Sequence, residues 1–159
     1  MLVPPLVEGL LLALAIGIVA GLRAMMAPTA IAWAASRGAL PLQGTLLAFL
    51  GWRFTPWIFT LFAIGELITD QLPSTPSRKV PAQFAARMVL GGLSGAAIGY
   101  GIAAPLPGFV MGIVGAVIGT YGGAAARAGL ASAFGSDRPA ALIEDAVAIL
   151  LAVLVFSAL

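Results

Sequence analysis

Residues 65–87 read GELITDQLPSTPSRKVPAQFAAR. Glu66 and Asp70 close one very apolar segment, a proline-rich basic turn follows, and Arg87 opens the next apolar segment. Charges confined to the ends of long apolar runs are what helices need if they are to enter a bilayer and return. The stretch therefore sets the fold class: all-α, a polytopic transmembrane helical bundle.

Composition agrees. Of 159 residues, 61% are hydrophobic and 9% charged, against about 25% charged in an ordinary soluble domain. The mean hydropathy is +1.09. So little charge cannot cover a globule in polar surface, so lipid is the solvent this chain implies. Residues 1–159 fit a single transmembrane domain. The formal charge of +2 and the lack of a basic run interleaved with aromatics argue against nucleic acid as a partner. There is no Cys and no His, which removes thiolate chemistry, the usual zinc sites and histidine proton relays. Nothing calls for a cofactor, and a metal is left undetermined. MLVPPLVEG lacks a positive n-region and carries Glu8, so it does not read as a signal peptide.

Outward from the central turn, the spans run from about 6 to 22, 55 to 72, 82 to 104, 108 to 134 and 140 to 159. This is about five spans, or four plus broken pieces. Arg23 ends the first uncharged run, and apolar sequence continues to Ser36 with Pro28 inside it, predicting a broken or kinked helix near Pro28. LLAFLGWRF is too short to span and reads as an interfacial or re-entrant piece. Trp33, Trp52 and Trp57 suit an interfacial belt or packed core. PLP at 105–107 reads as a turn. Arg78, Lys79 and Arg138 gather on one side, favouring a cytoplasmic N-terminus and an external C-terminus.

Two constellations stand out. Gly91, Gly95 and Gly99 in the third span, and Gly115, Gly119 and Gly123 in the fourth, recur every four residues and so share a helix face. Glycine lets backbones approach closely in lipid, so these stripes predict a glycine-zipper contact between the two spans. Arg87 and Arg127 extend the stripes at the same four-residue step, either facing into the bundle or snorkelling to headgroups. The second constellation is acidic. Glu66 and Asp70 share a face, with Glu66 roughly 9 Å inside the end of its span, and Glu144 and Asp145 lie about 7 Å inside theirs. Buried carboxylates must pair, protonate or line a wet cavity. Glu66, Asp70, Arg87, Arg127, Glu144 and Asp145 are thus candidates for binding a substrate or ion. The competing reading is a structural ion-pair clamp. Ile16-Gly17-x-x-x-Gly21 and Ile118-Gly119-x-x-x-Gly123 suggest an inverted repeat around the third span as connector.

Gly21-Leu22-Arg23, Glu66-x-x-x-Asp70 with Pro73, Pro76, Arg78 and Pro81, Arg87 before a glycine-rich span, and Leu142-Ile143-Glu144-Asp145 together resemble the bacterial membrane proteins of domain-of-unknown-function family 4126. The resemblance covers most of the chain. It implies a small multi-pass protein of the bacterial inner membrane and supplies no activity. A looser likeness to cation exchangers with a Glu-x-Gly-Asp-Lys-Thr motif fails in spacing and at Gln71, so no metal role is carried over.

Three functions fit these residues. The first is a transporter or channel-like protein that holds a small ion or solute in an acidic, arginine-balanced cavity. The second is a membrane enzyme on a lipid phosphate. The third is a non-catalytic scaffold whose glycine faces also allow a homo-oligomer. A polar cavity across the bilayer favours the first, a cavity open to lipid at headgroup depth the second, and a dry, fully paired cluster the third.

Overall fold

The computed structural model describes residues 5–72, 77 and 79–159, so Pro73, Pro76 and Arg78 of the central turn lie outside the described residues. Among the described residues six helices follow one another: α1 Pro5–Leu22, α2 Met26–Ser36, α3 Thr55–Thr69, α4 Pro81–Gly101, α5 Pro105–Phe134 and α6 Asp137–Ala158. A 3₁₀ turn, Ala48–Gly51, lies between α2 and α3. The described residues contain no strand. Helices α1, α5 and α6 are long and apolar enough to cross a membrane, while α3 is apolar but only 15 residues long. Glycines, buried Ser94 and buried Arg87 dilute the hydropathy of α4.

Proline opens three of these helices. It stands in the first turn of α3, α4 and α5, where its fixed φ suits the helix and its missing N–H is not needed. The expected turn at 105–107 is corrected on this ground: Pro105 starts α5, and the reversal falls at Ile102–Ala104, where Ala103 takes φ 53°. At its other end α5 stops at Gly135, in the left-handed conformation at φ 65°.

The break expected near Pro28 falls at Arg23–Met25. Pro28 sits in the first turn of α2, so it helps to start that helix instead of kinking a longer one. Across the break the chain reverses. Gly9 of α1 faces Ile102 at the end of α4, and Gly21 packs at the level of Ala116–Thr120 on α5. Then α2 returns: Trp33 donates Nε1–H to Thr60 Oγ1 at 3.1 Å, Arg37 lies over Phe156, and Leu40 and Pro41 meet Gly101. Helices α3 to α6 alternate in direction. One end of the bundle therefore holds the break, the α3–α4 connection and the α5–α6 turn. The start of α1 at Pro5 and the end of α6 at Ala158 both lie at the opposite end. The expectation of termini on opposite sides is corrected, because α2 adds a reversal that a single kinked span would not.

Glycine sets the packing, with a change of partners. Gly108 and Gly112 of α5 lie against Gly91, Gly95 and Gly99 of α4, whereas Gly115 and Gly119 lie against Leu14, Gly17, Ile18 and Gly21 of α1. Gly123 is buried. A Cβ at Gly17, Gly95, Gly112 or Gly115 would strike backbone atoms of the neighbouring helix, so no side chain can stand there without parting the backbones. Thus α5 packs on both α1 and α4, which also meet each other directly where Gly91 faces Ala20. The contact order is ascending between α1 and α5, so these helices are parallel, and their Ile-Gly-x-x-x-Gly segments are not related by inversion.

Candidate functional site

The break between α1 and α2 leaves carbonyls exposed at the end of one helix and N–H groups at the start of the next. Met25, at the N-cap of α2, offers no side-chain cap. Neighbouring helices supply what is missing. Glu66, on the last turns of α3, accepts the Ala24 N–H on Oε1 at 2.7 Å and the Met25 N–H on Oε2 at 2.8 Å. Arg87 of α4 donates from Nη1 to the carbonyls of Gly21 and Leu22, both at 3.0 Å. Thr120 of α5 donates Oγ1–H to the Gly21 carbonyl at 3.4 Å. A carboxylate at a helix start and a guanidinium at a helix end both complement the helix dipole. The two caps approach each other, with Arg87 Nη2 3.8 Å from Glu66 Oε1.

Arg23 projects from the break itself and is fully buried. It donates from Nη1 to Asp70 Oδ2 at 2.5 Å and from Nε to Asp145 Oδ1 at 2.6 Å. Its Nη2 also touches Asp145 Oδ1 and lies 3.7 Å from Glu144 Oε2. Asp145 takes a further hydrogen bond from Gln71 Nε2 at 2.9 Å. Glu144, one residue earlier and turned about 100° around the helix, lies 3.4 Å from Arg127 Nη1. Arg127 also grips Asp137 with two donors, at 2.9 and 2.6 Å, across the α5–α6 turn.

All six sequence-predicted site residues therefore stand at one end of the bundle. Glu66 meets Arg87 and Glu144 meets Arg127, but Asp70 and Asp145 are brought together by Arg23. Sequence reasoning missed Arg23 as a site residue because it treated the arginine as the end of a span. The available signal was an arginine inside an apolar tract running from Gly9 to Ser36 that contains no acid; a cation in such a place needs partners from elsewhere in the fold. Asp137 and Gln71 were also missed, since both read as turn residues.

A cavity of about 1310 Å³ opens at this end of the bundle. Ala24 and Met25 of the break, with Glu66, Asp70, Arg87 and Arg127, lie along it, and Ser136 and Arg138 help to form its rim. On the other side of the break, the glycine contacts bring α1, α4 and α5 together backbone to backbone. Among the described residues no group of acids is placed to hold a metal ion: the carboxylates converge on guanidiniums and backbone N–H groups instead.

These features define a class. The protein is all-helical, has three helices long and apolar enough to cross a membrane, and carries a buried ionic centre at a broken helix. No family model matches the chain, and neither the curated proteins nor the solved structures provide a match.

Proposed function

We propose that this is a multi-pass protein of the bacterial inner membrane, a member of domain-of-unknown-function family 4126, that moves a proton or another small ion through the acidic cluster. In this reading α3 to α6 cross the bilayer. The α1–α2 pair enters from one side and turns back at Arg23, giving four crossings and a broken pair where about five spans were expected. The observation that carries the proposal is the buried, charge-lined break at the floor of a cavity large enough for water. Irregular backbone and ionised side chains at membrane depth are tolerated where they line a wet cavity, and broken helices with polar groups beside them are a common way to build an ion path.

The pairing of every cluster carboxylate with a cation or an N–H group favours a second reading, a clamp that fixes α1, α3, α4 and α6 without moving anything. The lipid-phosphate reading is weakened by the arginines themselves. Arg87 is engaged by backbone carbonyls and Glu66, and Arg127 by Asp137 and Glu144.

The test is reconstitution into proteoliposomes with a pH-sensitive dye inside and imposed gradients of protons or sodium. Asp70→Asn is the informative variant, because Asp70 reaches the cavity and Asn keeps an acceptor for Arg23. Flux in the wild type, lost in Asp70→Asn at an unchanged melting temperature, supports transport. No flux under either gradient, with a lowered melting temperature in the variant, supports the clamp.

A further inference from the structure

A second concavity lies at the end of the molecule opposite the charged cluster. It is a groove of about 230 Å³ between α2 and α6, and its lining is almost wholly apolar. Ala30 and Ala152 give the groove only methyl groups, while Ile149 and Val153 form one wall and Met26 closes the end nearest the break. Arg37 stands at the mouth. It is exposed, and its guanidinium lies 5.7 Å from the Trp33 ring and 5.0 Å from the Phe156 ring. Among the described residues no carboxylate is paired with it: five of the six acids belong to the charged end, and the sixth, Glu8, makes no ion pair with it.

We propose that this groove binds one anionic phospholipid, its acyl chain lying between α2 and α6 and its phosphate on Arg37. Depth and charge both point to that occupant. Arg37 follows the last turn of α2 and Phe156 lies in the last turn of α6, so the guanidinium stands where helices leave hydrocarbon and headgroups begin. The guanidinium carbon stands over both rings within cation–π range, and its N–H edge has no carboxylate partner among the described residues. Phosphate accepts such an edge with two parallel hydrogen bonds. Below it, the trough continues down α2 and α6 as an apolar strip that suits a hydrocarbon tail. A headgroup bearing its own ammonium would set a positive charge against Arg37, so the site prefers a net negative lipid. The inference rests on membrane embedding and is independent of ion movement.

Brominated lipids test it, because bromine on an acyl chain quenches a nearby indole. The chain has three tryptophans. In a Trp52→Phe/Trp57→Phe background, Trp33 alone reports on the groove. In a Trp33→Phe/Trp57→Phe background, outward-facing Trp52, whose ring meets Phe54, reports on bulk lipid. Vesicles are made with increasing fractions of brominated phosphatidylglycerol or brominated phosphatidylcholine. Trp33 should reach half-quenching at a several-fold lower fraction of the glycerol lipid, while Trp52 responds equally to both. Arg37→Gln, a surface change that leaves the core untouched, should bring the two Trp33 curves together. Ala152→Phe, which fills the trough, should do the same. Coincident Trp33 curves with Arg37 in place, or a preference that survives Arg37→Gln, would overturn the proposal. Failure of both lipids to quench Trp52 would overturn it together with the membrane reading.

Discussion

Replacing Arg23 with methionine should be among the most damaging single changes in this protein. Methionine retains much of the side chain's apolar volume and deletes the charge. Two carboxylates then lose their cation. Asp70 is 14% exposed and borders the cavity, so water can take it up. Asp145 keeps only the Gln71 amide among its described partners. Removing one partner from a buried ion pair costs about 3–5 kcal/mol because the other charge is stranded. In a chain of this size that is a fall of about 6–20 °C in melting temperature, at about 2–4 °C per kcal/mol. The assay is thermal unfolding in detergent, followed by helical circular dichroism, for wild type, Arg23→Met, Asp145→Asn and the double variant. Neutralising Asp145 as well removes the stranded charge, so the double variant should melt higher than Arg23→Met, with a coupling energy of at least about 1.5 kcal/mol, inside the range seen for contacting pairs. If Arg23→Met changed stability by no more than about 0.5 kcal/mol, as a surface substitution does, or if the two changes were simply additive, the central place given to Arg23 would be wrong.

Glu66→Gln should destabilise the break, since the amide has one acceptor for two N–H donors and presents its own N–H groups to one of them; a loss of about 1.5–3 kcal/mol, the range for hydrogen bonds to a charged group, should appear in the same melts. Gly119→Leu and Gly17→Leu should prevent recovery of folded protein, because each Cβ meets the neighbouring backbone, whereas Gly122→Leu, where nothing lies within 4 Å, should melt like wild type; equal behaviour of all three would refute the packing account. Asp137→Asn removes a 63% exposed partner of Arg127 and should cost no more than about 1 kcal/mol in a urea titration. Membrane-impermeant labelling of Ser36→Cys and Ser157→Cys should come from the same face of the membrane, with Ser77→Cys labelled from the other; labelling of Ser36 and Ser157 from opposite faces would break the α1–α2 reversal.

Apolar length, scarce charge and glycine spacing were enough to read an all-helical bundle, because those features are written residue by residue along the chain. A span of apolar residues can satisfy its backbone only by becoming a helix, and proline and glycine then mark where it starts and stops. That Glu66, Asp70, Glu144 and Asp145 gather at one end of the bundle was legible for the same reason, since it follows from counting residues along successive helices. What each of them holds was not. A helix fixes rise and rotation but not which neighbour it meets, and the stripe at Gly115 and Gly119, read from sequence as facing α4, packs on α1 instead. The parallel packing of α1 on α5 settled that partner. The same packing brought Gly21 and Leu22 under Arg87, so that the guanidinium caps carbonyls as well as facing an acid. The reversal at Arg23–Met25 was hidden for a related reason. No residue in that segment caps α2, and the cap is Glu66, 41 residues away in sequence from Met25. Where a helix ends is a local matter only if its cap is local. Here the capping groups come from α3 and α4, so the site of the break, and with it the position of Arg23 among Asp70 and Asp145, was decided by tertiary structure alone.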